Sequence, residues 1–293
     1  MILSAVDTVE SITKEDFLRK YYKPQKPVLI KGYARRWQDF DKWNLDYIYE
    51  QVGEQEVGLY DNKPADPNKA TSEAVTKMRF RDYITLIRSQ PTDYRIFFYI
   101  ITDHLPALLK NFTYPDLGFK YFKRIPTLFF GGSEARVLMH YDVDLADLLH
   151  FQFEGKKRVL LFAPDQSDFL YKVPLSVHTV YTVDYENPDY QQFPALAYAK
   201  GFEVFMEHGD ALFMPSGYWH FNRYLEAGFS VTLRSFPNSA LRLLRMLKEV
   251  FILRNTDKIL RKLFKKKWVD KKQQQAYRNS QRTLQKYIQN HNL

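Results

Sequence analysis

From Thr127 onward the chain alternates short apolar runs with tight turns: "TLFFGG", "ARVLMHYD", "LLHFQFEG", "KRVLLFAP" and, later, "FEVFMEHGD", "ALFMP" and "FSVTLRSF". Runs of this length, with no helical segments between them, predict an antiparallel β-sandwich or barrel. The preceding pattern is mixed. Thr13 ahead of Asp16 predicts a capped start for the helix "KEDFLRKYY", "KPVLIKGYA" reads as a short strand between Pro27 and Gly32, and "NLDYIYEQVG" keeps a helical period until Gly53. After the polar loop "YDNKPADPNKATSE" come another helix, "RFRDYITLIRS", and the apolar run "RIFFYII". Beyond Pro237 strand signals stop; Leu241, Leu244, Leu247 and Phe251 fall at helical spacing, which Ile259, Leu263, Leu284 and Ile288 continue. The expected organisation is mainly β with flanking helices. A mixed α/β flank over 1–95 packs on a barrel over 96–236, and a helical extension follows over 237–293, its first helix burying its apolar face in a homodimer.

Charge sharpens the last boundary. The net charge is +9, yet fifteen of the 43 lysines and arginines and only three of the 34 acids fall after Pro237, so the tail carries +12 and the rest −3. A basic helical tail of this kind could track RNA, a ribosomal surface or another anionic partner. The chain has no cysteine, which excludes disulfides, zinc–thiolate sites and thiol nucleophiles, so a metal must be held by His, Asp or Glu. "MILSAVDTVESITKED" lacks the basic n-region of a secretory signal and no apolar window approaches a bilayer span, so a cytoplasmic location without a transmembrane segment is expected.

The strand "ARVLMHYD" ends in an imidazole and a carboxylate, His140 and Asp142. In a strand, residues i and i+2 share a face, so both can aim at one ion. With seven histidines such a pair arises by chance, and a second one, His208-Gly209-Asp210, sits where a hairpin bend explains it. A facial metal site needs a third ligand from elsewhere. "GDALFMPSGYWH" offers His220, with the glycine, proline, glycine and histidine spacing that resembles the second motif of cupin barrels.

His140-x-Asp142 with His220, set in these strands, resembles the JmjC branch of the Fe(II)- and 2-oxoglutarate-dependent oxygenases. Within it, the asparaginyl hydroxylase of hypoxia-inducible factor is similar from "KPVLIKGYARRW" to "VTLRSF". The resemblance implies a double-stranded β-helix (cupin or jelly-roll barrel), the three residues as both metal ligands and catalytic centre, and Fe(II), 2-oxoglutarate and O₂ as cofactor and co-substrates. It also implies a dioxygenase that hydroxylates a C–H bond of a protein or small-molecule substrate and releases succinate and CO₂. Lys157, after "FEGK", matches the lysine that binds the distal carboxylate of the co-substrate, and alternation puts it on the face opposite Lys156 and Arg158.

Several positions depart from that hydroxylase. Val137 stands where it has threonine, its co-substrate tyrosine aligns with Phe97 while Tyr99 shares the expected face, and Arg234 replaces an asparagine. Arg234 either supplements Lys157 as carboxylate partner or closes a salt bridge. Asp144 and Asp147 read as loop positions, and Tyr218 and Trp219 as packing beside His220. Two other readings stand beside the oxygenase: a metal-binding cupin with a different reaction, and a non-catalytic barrel that binds an anionic partner through its tail. Asp142 in place of a second histidine, and Lys157, weigh against the former.

Overall fold

The computed structural model describes residues 1–63, 73–110, 112–236 and 239–291; most of the polar loop after Tyr60 and the Pro237 boundary lie outside them. Strands β1 (Ile2–Ala5), β2 (Asp7–Val9) and β3 (Val28–Ile30) come first, and β4 (Glu56–Leu59) pairs with β5 (Thr76–Arg79). Then follow β6 (Arg95–Ile100), β7 (Thr127–Gly131), β8 (Arg136–His140), β9 (Asp147–Phe153) and β10 (Lys157–Phe162). The last are β11 (Lys200–Met206), β12 (Ala211–Met214), β13 (Trp219–Tyr224) and β14 (Gly228–Ser235).

Two sheets face each other: a large one in the order β2-β3-β12-β9-β14-β7-β6 and a small one in the order β1-β11-β10-β13-β8. From β7 onward the chain crosses repeatedly between them and adjacent strands run antiparallel, which is the double-stranded β-helix. Between the sheets lie Leu148, Val159, Leu161, Leu212 and Met214. Successive side chains of a strand alternate faces, so Leu149, Phe151 and Phe153 point outward into a second core.

That outer core is covered by helices whose sequences dictate their ends. Helix α1 (Lys14–Phe17) is capped by Thr13, whose side chain accepts from the Asp16 N–H, and α2 (Leu45–Val52) by Asn44, which accepts from Tyr47. Helix α3 (Phe80–Ser89) buries Phe80, Tyr83, Ile84 and Ile87, one face at helical spacing. Trp37 and Trp43 pack on Phe153, with ring centroids 5.4 and 5.2 Å away. Burying each such ring contributes roughly 2–3 kcal/mol. After the short α4 (Ile101–His104) the chain enters the barrel strands.

The small sheet is covered differently. The segment 163–199 supplies Leu170, Tyr171, Phe193 and Leu196 against Phe162, Trp219 and Phe221. Helix α5 (Ala240–Leu247) runs through a wider π-type stretch into α6 (Arg254–His291), which breaks at Lys265, where φ is 45°. The distal half of α6 returns to this core through Ala276, Tyr277 and Leu284, and Ser280 donates to the Asp168 carbonyl at 2.6 Å. The proximal half does not. Leu241, Phe251 and Leu263 are 61, 62 and 66 % exposed, so the apolar face expected to be buried finds no cover within this chain among the described residues.

Candidate metal centre

His140 is the last residue of β8 and His220 lies directly opposite it in β13, with ring centroids 4.2 Å apart. The strand expected to carry both His140 and Asp142 stops at His140. Asp142 comes from the following turn, closed by the Leu145 N–H on the Asp142 carbonyl at 2.9 Å. Leu145 holds φ 46° there, a left-handed conformation that costs a leucine roughly 1–2 kcal/mol. One ligand atom from each of His140, Asp142 and His220 lies within 4.8 Å of the others.

The turn that delivers His220 explains the spacing of its motif. Gly217 takes φ 74°, Tyr218 donates to the Pro215 carbonyl, and Ser216 is held by its N–H on Asp147 Oδ1 at 2.9 Å. Asp147, expected on a loop face, is therefore buried at the start of β9 and ties the two motif segments together. Trp219 donates to Ser167 Oγ and packs on Tyr141, and Tyr218 donates to the Gln25 carbonyl, so both serve packing. His208 stays at its bend, accepting from the Glu154 N–H at 3.0 Å.

Both histidines of the centre are fixed in one tautomer. Nδ1 of His140 is 2.8 Å from the Leu138 carbonyl and Nδ1 of His220 is 3.1 Å from the Tyr218 carbonyl. A carbonyl only accepts, so each Nδ1 carries the proton and each Nε2 presents a lone pair, the form a metal requires. Burial, reinforced by the charge His140 can carry, pushes His220 down to about 4, so it is neutral at physiological pH.

Burial also works against the Asp142 carboxylate, but Arg234, then His220 and His140, outweigh it and hold Asp142 well below the usual carboxylate range. Arg234 donates to Asp142 Oδ2 at 2.9 Å and to Asp144 at 3.0 and 3.2 Å. Asp142 Oδ1, 3.7 Å from His140 Nε2, is left free. Arg234 thus forms a salt bridge, but a buried one at the centre itself, and Asp144 anchors it from the turn.

Lys157 lies inside the barrel and is 1 % exposed. Its Nζ donates to Ser230 Oγ at 2.6 Å and to His150 Nε2 at 3.2 Å, sits 4.2 Å over the Tyr224 ring, and has no carboxylate partner among the described residues. His150 Nδ1 meets Thr232 Oγ1 at 2.8 Å, so a polar chain runs along the inner face of β14 from Ser230 toward Arg234. Burial alone depresses the Lys157 ammonium well below its usual range. An ammonium enclosed without an anion is costly.

Tyr99 is not brought to the centre. Its hydroxyl donates to Gln55 at 2.7 Å and its ring packs with Phe80, His104 and Phe130 in the outer core. The cause is a register shift between Ile96 and Tyr99, with Phe98 at φ 63°, which undoes simple alternation along β6. Phe97 packs edge-on to Tyr60, and Phe98 presents its ring to Arg234 at 5.9 Å. Val137 pairs with Asn222, whose buried Oδ1 lacks a partner. Neither Asn222 nor Phe98 stands out in the sequence. Recognising "WHFNRY" as a strand would have placed Asn222 on the His220 face.

Two cavities frame the barrel. One of about 190 Å³ lies along the edge of β8, lined by Leu138, Met139, His178, Thr182 and Asp184. A larger one, about 600 Å³, is lined by Lys156, Glu207, His208 and Glu226 at hairpin turns away from the candidate ligands.

A family model described as a cupin-like domain matches residues 14–236. The chain is 27 % identical over 252 residues to tRNA wybutosine-synthesizing protein 5 of Gallus gallus, covering 79 % of this chain and 76 % of that protein. It is 26 % identical over 234 residues to lysine-specific demethylase 8 of Xenopus tropicalis, covering 78 % and 52 %. Against the Homo sapiens tRNA wybutosine-synthesizing protein 5, identity is 26 % over 235 residues, covering 73 % and 72 %. The chain spans about half the length of the demethylase 8 relatives.

Proposed function

This chain belongs to the cupin-like domain family, of the JmjC type, and from that premise we propose that it is an Fe(II)- and 2-oxoglutarate-dependent oxygenase hydroxylating a substrate C–H bond. The observation that carries this reading is one barrel holding both a two-histidine, one-carboxylate cluster and a buried lysine without an anion. The donor set fits ferrous iron: two neutral imidazoles and one carboxylate oxygen leave coordination positions open for a co-substrate. When bound, the iron supplies the oxidative chemistry that couples decarboxylation of 2-oxoglutarate, giving succinate and CO₂, to attack on a C–H bond.

The chain's own residues bind, orient and shield. Nε2 of His140 and of His220 and Oδ1 of Asp142 hold the ion. Arg234, anchored on Asp144, keeps Oδ2 of Asp142 occupied, so the carboxylate offers one oxygen rather than two. Lys157 takes the distal carboxylate, supported by Ser230, and the Phe162, Trp219 and Phe221 layer shields the small sheet from water. A cupin reaction without an oxo acid leaves Lys157 with nothing to neutralise it, so no feature of the site favours that alternative.

Relatives named for a tRNA and for lysine demethylation make a macromolecule, protein or RNA, the substrate class to test first. The decisive assay is succinate release from 2-oxoglutarate by the iron-loaded protein, with and without candidate substrate. His140→Ala and Asp142→Ala should abolish it. Absence of all turnover, coupled or uncoupled, from wild-type protein carrying stoichiometric iron would sink the proposal.

A further inference from the structure

Residues 240–264 form a nearly continuous helical rod in which Asp257 is the one buried residue among those described. A helix this rich in leucine ordinarily buries a stripe; here Leu241, Leu244, Phe251, Ile252, Ile259 and Leu263 are all more than half exposed. The same rod and the break after it are strongly basic. Residues 240–267 contain ten lysines and arginines against Glu249 and Asp257, and Arg245, Lys248, Arg254, Lys258 and Lys262 are exposed alongside the apolar stripe. Asp257 is neutralised internally by Arg261 at 2.7 Å and Lys272 at 2.5 Å, which leaves the outward field positive.

We propose that this rod is a peripheral membrane-binding element that lays its Leu/Ile/Phe stripe into the interface of an anionic bilayer while the flanking cations meet lipid headgroups. An apolar stripe bordered by lysine and arginine, in a helix of 20–30 residues, has the make-up of a helix lying in the headgroup plane. No helix of the described residues is long and apolar enough to cross a membrane, so the rod rests on the surface. The competing occupants fit less well. A second copy seated on the stripe would bring two strongly positive surfaces together, which is repulsive. A single-stranded RNA uses the cations but wants aromatic platforms, whereas this stripe is mostly aliphatic. The body is held to the rod beside the candidate centre, where Tyr141 donates to Glu249 at 3.3 Å.

The test is flotation of the full chain with vesicles of phosphatidylcholine containing about a third phosphatidylglycerol, against pure phosphatidylcholine vesicles. Binding to the anionic vesicles should be at least about tenfold tighter, and should weaken about tenfold when ionic strength rises from roughly 0.1 to 0.5 M. Phe251→Glu and Leu263→Glu replace exposed side chains, so thermal unfolding should be unchanged while each variant cuts vesicle binding about tenfold. Absence of flotation overturns the proposal, as does binding indifferent to either glutamate. A dimer in sedimentation equilibrium that the same variants split into monomers would assign the stripe to a second copy and equally overturn it.

Discussion

Replacing Lys157 by methionine separates what this side chain does for the fold from what it does for the site. Methionine matches its length and shape but removes the buried charge. In the ligand-free protein the ammonium is compensated only by Ser230 Oγ, His150 Nε2 and the Tyr224 ring. Relief of an unneutralised buried cation outweighs two hydrogen bonds, so the variant should be more stable by about 1–3 kcal/mol at pH 7, or a few degrees in Tm. Co-substrate binding should move oppositely. Removing one partner of a buried, hydrogen-bonded charge pair costs about 2–5 kcal/mol, a loss of roughly 30- to 4,000-fold in affinity. The pH dependence has a definite sign. Burial lowers the pKa of Lys157, while the unfolded chain keeps its proton up to about 10.4, so stability of the ligand-free wild type rises with pH across that interval and the variant lacks this rise. Thermal unfolding of manganese-loaded protein, with and without a non-reactive 2-oxoglutarate analogue, reads both effects. An undiminished analogue-induced shift in the methionine variant would refute the assignment of Lys157.

Other perturbations probe the centre's construction. His220 is pushed down to about 4 by burial, so the unfolded chain binds its proton first as pH falls; metal-free protein should lose about 3 kcal/mol between pH 6.5 and 4 from this residue. Urea midpoints against pH should show that slope flattened in His220→Gln, and an unaltered slope would contradict the burial argument. Arg234→Met frees Asp142 Oδ2 and should weaken manganese binding about 10- to 100-fold by calorimetry, with Arg234→Lys intermediate. Gly217→Ala meets no steric clash but must hold φ 74°, so chemical denaturation should show a loss of about 1–2 kcal/mol.

The convergence of His140, Asp142 and His220, and the inward face of Lys157, could be read from the sequence because strand alternation and motif spacing are local properties that folding preserves. What could not be read depends on interruptions of alternation or on pairing between distant elements. The shift in β6 exchanges Tyr99 for Phe98, and no residue type announces a bulge there. Arg234 needs Asp144, ninety positions away in the chain, before its side chain has a fixed direction. β1 and β2 are three or four residues long and expose most of their side chains, so they carry no apolar signature; they exist because β11 and β3 offer parallel edges to pair with. In the rod over 240–264, helical periodicity was plain, but periodicity says only that a face is apolar, not what covers it.

The placement of charge also fixes the order in which the centre can fill. Four formal charges occupy the inner wall: Asp142 and Asp144 share Arg234, a group of net one negative, while Lys157 stands apart as one positive. His220 and His150 add nothing, because burial keeps both neutral. A dianionic oxo acid entering an ion-free barrel is attracted at one end by Lys157 and repelled at the other by the carboxylates. A divalent ion on the triad reverses the second contribution. At an effective dielectric near 20, one unit charge acting over ~8 Å is worth about 2 kcal/mol, so changing that group by two charges should alter affinity by at least about 100-fold. Linkage makes the effect reciprocal: the oxo acid must tighten the metal by the same factor. Calorimetric titration of the 2-oxoglutarate analogue into chelator-treated and manganese-loaded protein measures the ratio directly. Equal affinities in the two titrations would mean that the ammonium of Lys157 alone recruits the anion, and that the Arg234 clamp on Asp142 has no electrostatic part in the order of assembly.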